Sequence, residues 1–142
     1  MSTELIIYVL TALAAVVVVL TRVRLGRRAG GAGRHDMGRG LVNLHTGAGV
    51  VALVLWVAFL VMPEDDPPVD ADLIGIAALA FWWLVVVAGL LILVRWLPSH
   101  GKHSSGGNED TWSDGPGLSI LAHVGMLVGV AVFTWAYLTA AV

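Results

Sequence analysis

Residues 73–96 read LIGIAALAFWWLVVVAGLLILVRW, and no charge interrupts them before Arg95. At 1.5 Å of rise per residue, the uncharged run from Leu73 to Val94 makes a helix about 33 Å long. That length spans the roughly 30 Å hydrocarbon core of a bilayer. The run is too long for an ordinary core strand and too apolar for a helix with a wet face. It is read as a transmembrane helix.

Working outward, three more stretches have this character, approximately Leu5–Thr21, Leu41–Met62 and Leu118–Ala141. The whole composition agrees. Of 142 residues, 58% are hydrophobic and 13% charged, with mean hydropathy +0.86. A soluble domain is usually about 45–50% apolar and 25% charged, and so small a globule cannot bury the excess. The expectation is an all-α membrane protein, a single four-transmembrane-helix bundle over 1–142 with the lipid bilayer as its main partner. The absence of cysteine excludes thiolate metal sites, disulfides and covalent haem attachment. A net charge of −2 gives no reason to expect nucleic acid. The bias toward Arg, Ala, Val and Gly suggests a bacterial source.

The first apolar run has no basic residue before it and no small-residue cleavage pattern after it, so it is read as a retained helix. The linkers set the orientation. Arg22, Arg24, Arg27, Arg28, Arg34 and Arg39 lie between the first two helices, six of the eight basic residues. The linker Pro63–Asp72 holds five acids and no base. Lys102 lies in the third linker, with Arg95 at its entrance. Because Arg and Lys gather on the cytoplasmic side, the first and third linkers are expected inside. The acidic linker and both termini are then outside a bacterial plasma membrane. Tyr8, Trp96, Trp135 and Tyr137 stand near helix ends, where amphipathic rings favour the interface.

The second and fourth helices open alike. Gly40-Leu41-Val42-Asn43-Leu44-His45-Thr46-Gly47 is echoed by Gly117-Leu118-Ser119-Ile120-Leu121-Ala122-His123-Val124-Gly125. Trp56 and Trp135 follow at nearly equal distances, and Val23-Arg24-Leu25 is echoed by Val94-Arg95-Trp96-Leu97. The pattern suggests two helical hairpins related as a parallel repeat.

His45 and His123 are the only ionisable residues well inside the predicted spans. Each lies roughly 6–8 Å beyond the first apolar residue of its helix, so the two imidazoles share one depth. An ionisable group in hydrocarbon is by default a functional-site hypothesis. Two imidazoles at matched depth on different helices can hold the iron of haem b. Gly47, Gly49, Gly125 and Gly129 would make room for a macrocycle, Arg22, Arg24, Arg39 and Arg95 would pair with propionates, and Trp82 and Trp83 would wall the cavity. In helix count and facing histidines the chain resembles four-helix membrane b-type cytochromes. That resemblance implies electron transfer, with a quinone or a partner subunit as exchange partner. The chain departs from the diheme cytochrome b561-like pattern, which needs more intramembrane histidines, so this pair holds at most one haem.

A second reading stands beside the first. Gly125 and Gly129 form a GxxxG pattern that brings helices together, and a membrane histidine can simply bond a neighbouring helix. The chain is then a cofactor-free accessory subunit of a larger membrane complex, or a homodimer. Asn43, Thr46 and Ser119 suit backbone bonding. The linker residues His35, Asp36, Met37, His100, His103 and Glu109 suggest a weaker metal site. No nucleotide-binding or hydrolase motif is present, and no intramembrane Asp, Glu or Lys marks an ion path. The topology has a direct test. Single cysteines at Asp66 and Ser105 should react with an impermeant thiol reagent from opposite sides of the membrane, and labelling from one side would refute the four-span arrangement.

Overall fold

The computed structural model describes residues 2–27, 39–63, 69–100 and 116–142, without the side chains of 22, 24–27, 39, 95–100 and 116–119. The described residues form four helices and no strand: α1 Thr3–Arg27, α2 Arg39–Leu60, α3 Ala71–His100 and α4 Pro116–Leu138. Their apolar portions, Thr3–Thr21, Gly40–Leu60, Ala71–Val94 and Ile120–Leu138, are each long enough to cross a membrane. The four-helix membrane bundle expected from the sequence is what is found. The helices α1 and α3 run past the apolar stretches, because a hydrogen-bonded helix does not stop where hydrophobicity does. It continues until its backbone finds another way to be satisfied.

Their starts and stops have local causes. Asp70 caps α3, its Oδ1 accepting from the backbone N–H groups of Asp72 (3.0 Å) and Leu73 (3.3 Å). Ser2 Oγ accepts from Leu5 N at 3.3 Å and caps α1 in the same way. Pro116 opens α4, where its missing N–H costs nothing. At the other end of α4, Ala141 N donates to Ala136 O at 2.9 Å, the six-to-one closure of a Schellman turn. That turn puts Ala140 at φ 49°, the left-handed region usually left to glycine.

The helices pack in a ring. Both α1 and α3 neighbour α2 and α4, while α1–α3 and α2–α4 face each other across the diagonals with no Cα pair within 8 Å among the described residues. The α2–α4 diagonal is bridged by rings instead of backbone. Three pairs span it: His45–His123 with centroids 6.0 Å apart, Trp56–Phe133 at 4.7 Å, and Phe59–Tyr137 at 5.6 Å. Each pair meets one residue of α3. The histidines rest on Gly89 and the Phe59–Tyr137 pair on Gly75, while Phe133 meets Trp82 at 5.9 Å. Gly75, Trp82 and Gly89 are spaced by seven, which keeps them on one face of a helix packed in a bundle. Thus α3 presents a small, large, small series to rings arriving from both sides.

Two rungs of this ladder share one spacing. The 78-residue offset that relates His45 to His123 also relates Phe59 to Tyr137. In the middle, however, the pairing differs from the sequence echo. Trp56 is fully buried against Phe133, whereas Trp135 is 53% exposed and faces outward. Trp135 stands twelve residues after His123 whereas Trp56 stands eleven after His45, and that one added residue turns Trp135 about 100° away from the interior.

Each hairpin carries one indole–hydroxyl tie between its helices. Trp56 Nε1 donates to Thr11 Oγ1 at 3.1 Å between α1 and α2, and Trp83 Nε1 donates to Thr134 Oγ1 at 3.1 Å between α3 and α4. The threonines in turn donate to Ile7 O and Val130 O at 2.8 Å. Interhelical bonds of this kind in membrane proteins are worth about 0.6–2 kcal/mol. Thr11→Val should therefore cost about 1–2 kcal/mol in denaturant unfolding of the micelle-embedded protein, because it strands a buried donor. Thr134→Val should cost less, roughly 0.5 kcal/mol, because Trp83 is 39% exposed. Equal costs would contradict this account.

Candidate functional site

The first turns of α2 and α4 deliver the two intramembrane histidines to the same place. His45 and His123 are each half-buried, and their rings face across the diagonal with planes only 19° from parallel. The convergence on α3 is close. A Cβ built on Gly89 would stand 2.9 Å from His45 Cε1, 2.8 Å from His123 Cδ2 and 3.1 Å from His123 Nε2. Any side chain larger than hydrogen there would have to push both rings aside. Gly89 is therefore a contact surface of bare backbone under both imidazoles.

The same glycine explains the hydrogen bond of His45. Its Nδ1 lies 3.0 Å from Val85 O. A carbonyl only accepts, so Nδ1 carries the proton and the bare ring nitrogen of the neutral form is Nε2. Val85 O belongs to the helix ladder, where residue 89 is its usual donor partner four positions on, and a second lone pair remains. A helical side chain covers the turn before its own Cα, so a side chain at 89 would screen that carbonyl. With glycine there, the carbonyl is open to the imidazole. This is the arrangement by which metal-ligating histidines have their tautomer fixed.

The other sequence-derived site residues fall in different places. Gly47 and Gly125 border open space, with nothing within 4 Å of an added Cβ, and so does Gly129. Each is two or six residues from its histidine, which puts it off the ring-bearing side of its helix. The GxxxG pair of α4 therefore neither lines the histidine site nor packs against another helix of this chain. Gly49 is buried, and a Cβ added there would be in ordinary contact with Val18 and Val85. Trp82 is fully buried, its Nε1 without a hydrogen-bond partner, and Trp83 turns outward to Thr134. Thr46 bonds the backbone, donating to Val42 O at 3.0 Å. The side chains of Arg22, Arg24, Arg39, Arg95, His100 and Ser119 lie outside the described residues, as do His35, Asp36, Met37, Lys102, His103 and Glu109.

Among the described residues, no group of three or more His, Cys, Asp or Glu gathers around one point. The chemistry on offer is that of two facing imidazoles. Metal–imidazole bonds run about 2.0–2.1 Å, so two imidazoles on opposite sides of one ion stand with centroids roughly 6 Å apart. Here the two centroids stand 6.0 Å apart, with the ring planes 19° from parallel. Sequence reasoning found the histidines and missed Gly89, whose signal is its place seven residues after Trp82 and fourteen after Gly75. No known protein family matches the chain, and no curated protein or solved structure does either.

Proposed function

We propose that this chain is a small b-type cytochrome-like membrane protein in which His45 and His123 ligate one haem b and electrons pass near the cytoplasmic face. The supporting observation is the pair itself: two imidazoles from diagonal helices, at one depth, nearly parallel and 6.0 Å apart. The donor set suits the group, since bis-imidazole ligation is a standard way to hold haem iron. Bound haem supplies a one-electron centre. The chain's own residues do the rest. Val85 O holds the His45 proton on Nδ1, which leaves Nε2 as the nitrogen that would ligate the iron. Gly89 keeps α3 free of a side chain between the rings. In the proposed orientation the arginine-rich ends of α1, α2 and α3, with Arg22, Arg39 and Arg95, would pair with propionates. A quinone or a partner subunit would exchange the electrons.

The purified protein, expressed with ample haem, should give the sharp reduced-minus-oxidised α band of six-coordinate low-spin haem b. His45→Ala and His123→Ala should each abolish the band or convert it to a high-spin form, while changes at His35, His100 and His103 leave it intact.

One observation favours the second reading, a cofactor-free accessory subunit. The imidazole edges lie about 3 Å from where a Gly89 Cβ would be, so the pair can serve as packing and as an interhelical bond alone. On that reading the protein is colourless, and losing either histidine costs about 1 kcal/mol of stability.

A further inference from the structure

We infer that Gly89 is a positioning residue: with the Val85 carbonyl it forms a seat on α3 that fixes the mutual orientation of the His45 and His123 rings. This rests on the haem reading for its consequence but not for its geometry. Three observations carry it. Both rings touch the same glycine, from opposite neighbours of α3. One ring is also pinned at Nδ1 to a carbonyl four residues earlier, on the same side of the helix. The planes are held 19° from parallel although their helices do not pack on each other. The two rings meet each other as well, and α3 is the element that both of them share.

The orientation has a readable consequence. The d-orbital energies of a low-spin ferric haem depend on the angle between its two axial imidazole planes. Nearly parallel planes split the iron π orbitals and give an ordinary rhombic electron paramagnetic resonance signal. Perpendicular planes leave those orbitals nearly degenerate and give a strongly anisotropic one. A seat that holds the rings nearly parallel selects the rhombic form.

The test uses the full chain in micelles, in two arms. In the haem-free arm, nitrogen NMR of histidine-labelled protein should show His45 protonated at Nδ1. Gly89→Ala should lose that signature, because its methyl group displaces both rings, while Gly40→Ala, which meets nothing within 4 Å, should keep it. In the haem-loaded arm, the wild type should give the rhombic signal, and Gly89→Ala should turn it strongly anisotropic or high-spin. An unchanged tautomer signature and line shape in Gly89→Ala would overturn the inference, and so would a strongly anisotropic wild-type signal. If no haem binds, the cytochrome reading fails and the NMR arm alone judges the seat. If Gly89→Ala does not fold, the wild-type tautomer and line shape decide.

Discussion

Hydrocarbon donates and accepts no hydrogen bonds, so every polar group carried into it must be answered from within the protein. Most features of this bundle follow from that. The threonine hydroxyls of α1, α2 and α4 donate back to carbonyls one turn earlier. Two indoles reach threonines across helix gaps, and one imidazole reaches a main-chain carbonyl. The phenol of Tyr137 donates to Asp72 O at 3.1 Å, tying the end of α4 to the start of α3. Among the buried side-chain nitrogens and oxygens of the described residues Trp82 Nε1 is the exception, and it sits beside the Phe133 ring.

The same solvent removes the usual drive for apolar faces to meet, so shape has to hold the helices together. Here the shape is supplied by α3. Its two glycines admit rings from both flanking helices, and Trp82 fills the level between them. At Gly75 a Cβ would come within 2.5 Å of Tyr137 Cε2 and 3.2 Å of Phe59 Cδ2, as tight a fit as that under the histidines. The histidine pair is thus one rung of a packing scheme repeated along the bundle. What distinguishes this rung is that its rings carry nitrogens, one of which is bonded to a main-chain carbonyl of α3.

How much of this the sequence disclosed depends on the kind of constraint. Hydropathy over twenty residues is a strong local signal, so four spans were readable to within a few residues at most ends. The meeting of His45 and His123 was also readable, because each stands a similar number of residues into its helix. Which glycines matter was not. Gly47 and Gly125 looked important by proximity along the chain, yet they border open space, while Gly89 is far from both histidines in sequence and touches both. A glycine's role lies in what occupies the volume it leaves, and that volume belongs to other helices. The echo of Trp56 by Trp135 misled for a related reason. One added residue rotates a helical side chain by about 100°, so similarity of spacing survived where similarity of direction did not.

The two indole–hydroxyl ties bear on how such a chain enters the membrane. Each tie closes within one hairpin, α1 with α2 or α3 with α4, and none crosses from one hairpin to the other. A hairpin released into lipid ahead of its partner therefore arrives with that indole already satisfied, whereas the ring N–H of His45 finds its acceptor, Val85 O, only in the second hairpin. The Trp and Thr roles are also exchanged: the indole sits on the second helix of the first hairpin and on the first helix of the second. The indole ties thus belong to the separate hairpins, while the His45–Val85 bond and the ring pairs between α2 and α4 join one hairpin to the other.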